Sequence, residues 1–92
     1  MLITNNKERN RFEAMVNGEF AYLAYEFYGD VMALVGTFVP PSERHQGIAF
    51  ALVRHGLEYA KAEHLKIISG CSSVSIFIEQ HPEYKSLLAI EE

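Results

Sequence analysis

The sequence has no tryptophan, one cysteine and three prolines, and each scarcity excludes something. A lone thiol, Cys71, cannot close an internal disulfide, so the chain relies on a packed core and is expected in a reducing cytoplasm. Positive charge is scarce too: 8 Lys and Arg face 12 Asp and Glu, for a net charge of −4. Neutralising phosphates takes an excess of cations, so neither nucleic acid nor an anionic membrane surface is an expected partner. No run approaches the roughly 20 apolar residues of a membrane span. The first ten residues are polar, with Lys7, Glu8 and Arg9, and read as lacking a secretory h-region. There is no internal repeat or low-complexity tract. No Cys/His cluster has ligand spacing and no nucleophile–base–acid triad stands out, so no metal is expected.

What is present is ordinary globular material. Apolar residues make up 49% and charged residues 22% of 92 residues. That suits one small domain, residues 1–92, with one core and little spare stability. Arg11 to Val16 alternates, placing Phe12, Ala14 and Val16 on one face and Arg11, Glu13 and Met15 on the other. Asn17-Gly18 is the favoured two-residue hairpin turn, because both positions take positive φ. Glu19 to Phe27 reads as a second strand, with Ala21, Leu23, Tyr25 and Phe27 sharing a face. Tyr28-Gly29-Asp30 turns the chain into a third strand, Val31 to Val39, whose near-continuous apolar run predicts burial on both faces. Pro40-Pro41 ends it, since proline cannot donate to a ladder.

The second half is helical around one short strand. At about 100° per residue, Ile48, Ala49, Phe50, Leu52, Val53, Gly56, Leu57, Tyr59 and Ala60 fill one arc of a helix predicted from Gln46 to about Glu63. Arg54, Glu58 and Lys61 fall opposite. Lys66 to Ser69 is a strand expected to lie parallel to the third through a right-handed crossover. Cys71 to Gln80 reads as a short helix with Val74, Phe77 and Ile78 inward. His81-Pro82 stops it, and Pro82 to Leu88 forms a last turn. The architecture is α+β: a three-stranded antiparallel meander, a strand–loop–helix–strand crossover and a short C-terminal helix.

The most informative stretch is Val39-Pro40-Pro41-Ser42-Glu43-Arg44-His45-Gln46-Gly47-Ile48-Ala49. Gly47 and Ala49 at the mouth of a helix let a backbone come close to a bulky ligand. The unpaired N–H groups and the dipole there favour negative charge, so the physics points to a phosphate or pyrophosphate site. The spacing Arg44-x-x-Gly47-x-Ala49 after a strand resembles the acyl-CoA-binding loop of the GNAT superfamily of N-acetyltransferases. Arg11-Phe12, Asn17-Gly18-Glu19, Ala21-Tyr22-Leu23-Ala24-Tyr25, Thr37-x-Val39-Pro40 and Gln46-Gly47-Ile48 extend the resemblance to a subfamily of very small GNAT-like proteins. So do Ala51-Leu52-Val53, Leu57-x-Tyr59-Ala60, Cys71 and His81-Pro82-Glu83-Tyr84.

The resemblance implies the minimal GNAT core, with acetyl-CoA between Val31–Val39 and Lys66–Ser69. It implies pyrophosphate on the backbone of Arg44, His45, Gln46, Gly47, Ile48 and Ala49, with a charge-assisted contact from Arg44. The backbone of Phe38 and Val39 pairs with the pantetheine arm, and the acetyl carbonyl points toward Thr37 and Cys71. Cys71 has two readings. It is a catalytic thiol that protonates the leaving group or carries the acetyl group, or a small buried hydrophobe. His45 either touches the co-substrate or is merely exposed. His55 and His64 read as solvent-facing, and His81 to Tyr84 as a helix stop with a packed tyrosine. Two positions depart from the subfamily: Gly36 stands where a histidine is common, and Phe77 where a tyrosine is.

Function is therefore expected to be acetyl-CoA-dependent N-acetyl transfer to a primary amine by direct attack. Alternatives are a non-catalytic acyl-CoA-binding module and an interaction domain that kept the fold alone. Expected partners are acetyl-CoA, or coenzyme A as its product, and an amine on a small molecule or peptide. The aromatic edge of Phe20 and Tyr22 invites a homo-oligomer.

Overall fold

Turn chemistry sets the register of the sheet. Asn17 (φ 48°) and Gly18 (φ 83°) both adopt left-handed backbone, which matches the twist of a two-residue hairpin and pairs Val16 with Glu19. The computed structural model describes residues 1–90. Its strands are β1 (Thr4–Asn6), β2 (Arg11–Val16), β3 (Glu19–Tyr28), β4 (Val31–Phe38) and β5 (Lys66–Ser69). Its helices are α1 (Ile48–Ala62) and α2 (Ser72–Gln80), with 3₁₀ turns at Pro41–Glu43 and Pro82–Leu87. The strands form one sheet in chain order, antiparallel from β1 to β4 and parallel between β4 and β5. Among the described residues no helix is long and apolar enough to cross a membrane.

The core lies on one face of this sheet. Phe12, Leu23, Met32, Leu34 and Ile67 from the strands meet Leu52, Val53 and Leu57 of α1 and Val74 and Phe77 of α2. All are at most 2% exposed. Each such side chain contributes roughly 1.5–3 kcal/mol on leaving water. Both helices cover the same face, and the outer face carries Met15, Phe20 and Phe38, at 56%, 41% and 38% exposure.

Several expectations need correction. The meander has four antiparallel strands, because polar Thr4–Asn6 adds an edge strand to β2. Glu13 lies on the outer face but is only 7% exposed. It accepts hydrogen bonds from Asn6 Nδ2 (2.9 Å) and Arg11 Nε (2.6 Å). Burial pushes its carboxyl pKa up, but these donors and the Arg11 charge outweigh that and hold it below the usual value. Burial of β4 on both faces is confined to Met32, Ala33 and Leu34, and Val35 is exposed. Phe27 follows the β3 alternation but ends up 45% exposed at the end of the strand. Helix α1 begins at Ile48 rather than Gln46, with Gly47 as its N-cap.

The sheet opens at one place. Ala24 pairs with Gly36 and Tyr25 with Leu34, so Val35 is an extra residue that bulges β4. Parallel pairing with β5 runs only to Leu34–Ser69, and the Gly70 N–H closes it on the Leu34 carbonyl at 2.8 Å. A Cβ at Gly70 would sit 3.1 Å from that oxygen and 3.3 Å from Val35 Cα, so a side chain here would push the two backbones a few tenths of an ångström apart. Beyond it, β5 turns away into α2, and among the described residues the far half of β4 keeps an edge without a strand partner.

Candidate active site

A groove of about 620 Å³ runs from that open edge to the start of α1. Its loop end is made of backbone. Pro40-Pro41 turns the chain out of β4, and the Glu43 N–H bonds the Pro40 carbonyl at 2.8 Å. His45 (φ 67°) and Gly47 (φ 78°) then take left-handed conformations, which bring the chain round into α1. Space for a Cβ at Gly47 is open, with no atom within 4 Å. Its glycine answers to the positive φ and leaves clear access to the main chain. The Ala51 N–H is the first to bond back, to the Gly47 carbonyl at 3.0 Å. Those of Gly47, Ile48, Ala49 and Phe50 have no protein acceptor among the described residues. A row of unpaired donors at a helix start, without a side chain in the way, is a cradle for an anion.

Two side chains hold this loop. Glu43 is 8% exposed, and its carboxylate accepts a hydrogen bond from Asn17 Nδ2 on the β2–β3 turn. Arg44 Nε donates to the Val39 carbonyl at 2.9 Å. That oxygen belongs to the backbone expected, from the family resemblance, to pair with a pantetheine arm. The terminal N–H groups of Arg44 have no acceptor among the described residues and remain available to an anion.

The other end is made of side chains. Cys71 is the N-cap of α2, with extended backbone (φ −149°). Thr37 reaches from β4 to place Oγ1 3.8 Å from Cys71 Sγ and 3.3 Å from Ser73 Oγ. Partial burial raises the Cys71 pKa, but the Ser73 N–H, the Thr37 hydroxyl and the N–H groups of Val74 and Thr37 overcome it. The net shift is downward. Thr37 and Ser73 line the groove, and Cys71 is in contact with Thr37 without being among the lining residues.

Of the residues singled out by sequence, Phe38, Val39, Arg44, His45, Gly47, Ile48 and Ala49 line this one groove. Gln46 and Cys71 do not. Glu43, Phe50 and Ser73 line it and escaped notice. Ser73 sits two residues after a helix-leading cysteine, which is a signal of a kind, whereas nothing local marks Glu43. Phe77 does not line the groove. Its ring stacks on His81 at 4.1 Å, meets Phe50 edge-on at 5.4 Å and lies under the Arg54 guanidinium at 5.1 Å. Tyr84 is packed as expected, 5% exposed, with its hydroxyl donating to Glu58 at 2.7 Å and accepting from Arg54 at 3.3 Å. His55 and His64 are exposed. Among the described residues no three of His, Cys, Asp and Glu cluster as metal ligands would.

This assembly has relatives. The fold is similar to the solution structure of a GCN5-like candidate N-acetyltransferase from Staphylococcus aureus. The TM-score is 0.76 over 99% of this chain and 90% of that one, at 24% sequence identity. The family model described as GCN5-related N-acetyl-transferase matches residues 11–87. That stretch takes in β2 to β4, the open edge of β4, the loop into α1 and the cysteine that leads α2, and the chain belongs to the GCN5-related N-acetyltransferase family.

Proposed function

We propose that the protein is an acetyl-CoA-dependent N-acetyltransferase that moves an acetyl group to a primary amine by direct attack. One observation carries this reading: the unpaired N–H groups of Gly47 to Phe50 open into the same groove as Thr37 and Ser73. An anion cradle at one end and, at the other, two hydroxyls beside an acidic thiol suit a long anionic thioester. Acetyl-CoA, when bound, supplies the activated acyl group. The N–H groups of Gly47, Ile48, Ala49 and Phe50 hold its pyrophosphate, with His45 and Gln46 flanking. Arg44 exchanges the Val39 carbonyl for a phosphate oxygen, a charge-assisted and therefore stronger contact. This releases Val39, beside Phe38, to pair with the pantetheine amides. The groove orients thioester and amine, turning a bimolecular encounter into a local one. Cys71 is the proton source for the departing thiolate.

The acceptor amine belongs to a small molecule or a peptide terminus, and the site of action is the cytoplasm. The half-exposed aromatic side chains of the outer sheet face favour a homo-oligomer, which native mass spectrometry reads directly. Acetyl-CoA incubated with a panel of primary amines tests the main reading. Acetylated product together with free CoA supports it, and their absence with a folded protein that binds CoA overturns it.

A second reading, a non-catalytic acyl-CoA-binding module, has an observation of its own. The ionisable side chains that line the groove, Glu43, Arg44 and His45, all lie at its loop end. Gly36 offers no base at the other. Saturable CoA binding without turnover on any amine of the panel is what this reading expects.

A further inference from the structure

Cys71 is partly exposed but is not among the residues that line the groove. Thr37 and Ser73, which do line it, are the thiol's hydroxyl neighbours. Thr37 Oγ1 lies 3.8 Å from the sulfur and 3.3 Å from Ser73 Oγ. The three groups run from Cys71 through Thr37 to Ser73, and the last two line the groove. Ser73 sits in the first turn of α2, so its backbone is fixed by the helix. Thr37 is held by the β3–β4 ladder opposite Leu23. Tight hydroxyl hydrogen bonds run at about 2.7 Å, and catalytic contacts that are long in a free enzyme tighten when substrate arrives.

We propose that Ser73 is the catalytic residue that protonates the departing CoA thiolate, with Thr37 relaying the proton from Cys71. The proposal rests on the acetyltransferase reading above. As the amine lone pair forms the C–N bond and the C–S bond breaks, the Ser73 hydroxyl proton passes to the CoA sulfur. The Ser73 oxygen takes the proton of Thr37, and Thr37 takes that of Cys71. A thiolate remains on Cys71, facing the N–H groups at the start of α2. The acetylated nitrogen sheds its extra proton to water, and water returns one to Cys71. The count closes: one proton leaves the amine and one ends on CoA. The division of labour has a chemical logic. A serine hydroxyl is a poor acid at neutral pH but lines the groove, and Cys71 is the better acid but is not among the lining residues.

Steady-state kinetics of the full chain, with acetyl-CoA and an amine that it acetylates, test the relay. Ser73→Ala is expected to lower kcat about 10²-fold, the low end for a positioned acid, and to leave the KM for acetyl-CoA within about twofold, since the pyrophosphate cradle is untouched. Ser73→Thr, which restores the hydroxyl, recovers most of the rate. Thr37→Val, which keeps the shape and removes the hydroxyl, repeats the loss. The pH profile supplies a readout that a structural role would not move. Wild-type kcat falls as pH rises and Cys71 loses its proton, and in Ser73→Ala this alkaline limb disappears. An active wild type whose Ser73→Ala variant keeps its kcat, or keeps the limb, overturns the relay alone. A wild type that binds CoA and acetylates nothing overturns the acetyltransferase reading and the relay together.

Discussion

The two ends of the groove are built from different parts of the chain. At the loop end the functional groups are main-chain: the N–H donors of Gly47 to Phe50, exposed because Gly47 turns with φ 78° and Ala51 is the first to bond back. At the other end they are side-chain: Thr37 from β4 and Cys71 and Ser73 from the start of α2. A backbone cradle depends on chain conformation and on the absence of side chains, so it is vulnerable to added atoms and indifferent to most exchanges of neighbouring groups. A side-chain relay depends on particular hydroxyls and a thiol, and it fails by deletion. Binding and chemistry should therefore separate cleanly under mutation.

The largest separation is expected at Gly47. Gly47→Glu puts a β-carbon in left-handed backbone, at a cost of about 1–2 kcal/mol, and a negative charge beside the N–H groups. CoA affinity should fall more than about 100-fold, a loss near 3 kcal/mol, while the far-ultraviolet circular dichroism stays wild-type. Calorimetric binding at wild-type strength would join the two ends again and break the comparison.

Cys71→Ala is the counterpart at the other end. It should lower kcat about 10²-fold, the low end for a lost acid, and leave CoA affinity unchanged by calorimetry. A variant that loses affinity as well would mean that the thiol belongs to the binding surface.

Asn17→Gly sharpens the loop end. Glycine keeps the positive φ of the turn and removes the amide that holds Glu43. Loosening the loop should weaken CoA binding by about fivefold, ~1 kcal/mol, the size of a typical net hydrogen bond, with kcat unchanged. The smallest effect is on thiol reactivity. Because the Cys71 pKa is shifted down, its alkylation should reach half its maximal rate at a lower pH than a free thiol requires. Bound CoA should slow that reaction. A titration curve displaced to higher pH, untouched by CoA, would make Cys71 a core residue.

The same contrast decides what was legible in the sequence. Strands β2 and β3 and helix α1 declare themselves by periodicity, β4 by its apolar run, and the Arg44-x-x-Gly47-x-Ala49 spacing marks the loop, because backbone conformation is written in local residue choice. β1 escaped because Thr4–Asn6 has no apolar alternation; it exists through pairing with β2 and the Asn6–Glu13 bond. Buried Glu13 and Glu43 escaped because their burial follows from partners elsewhere in the chain. Ser73 acquires meaning only through Thr37, 36 residues earlier. The Arg44 hydrogen bond to Val39 follows from the bend between them, which no spacing pattern displays.

The account rests most heavily on the unpaired amides at the start of α1, and amide NMR observes them directly. In a titration with CoA, the backbone N–H resonances of Gly47, Ile48, Ala49 and Phe50 should move downfield and saturate together, as donors do on meeting phosphate oxygens. Those of Thr4 to Asn6, at the opposite edge of the sheet, should stay in place. A titration that leaves these four amides unmoved, or moves residues far from the loop instead, would contradict the account.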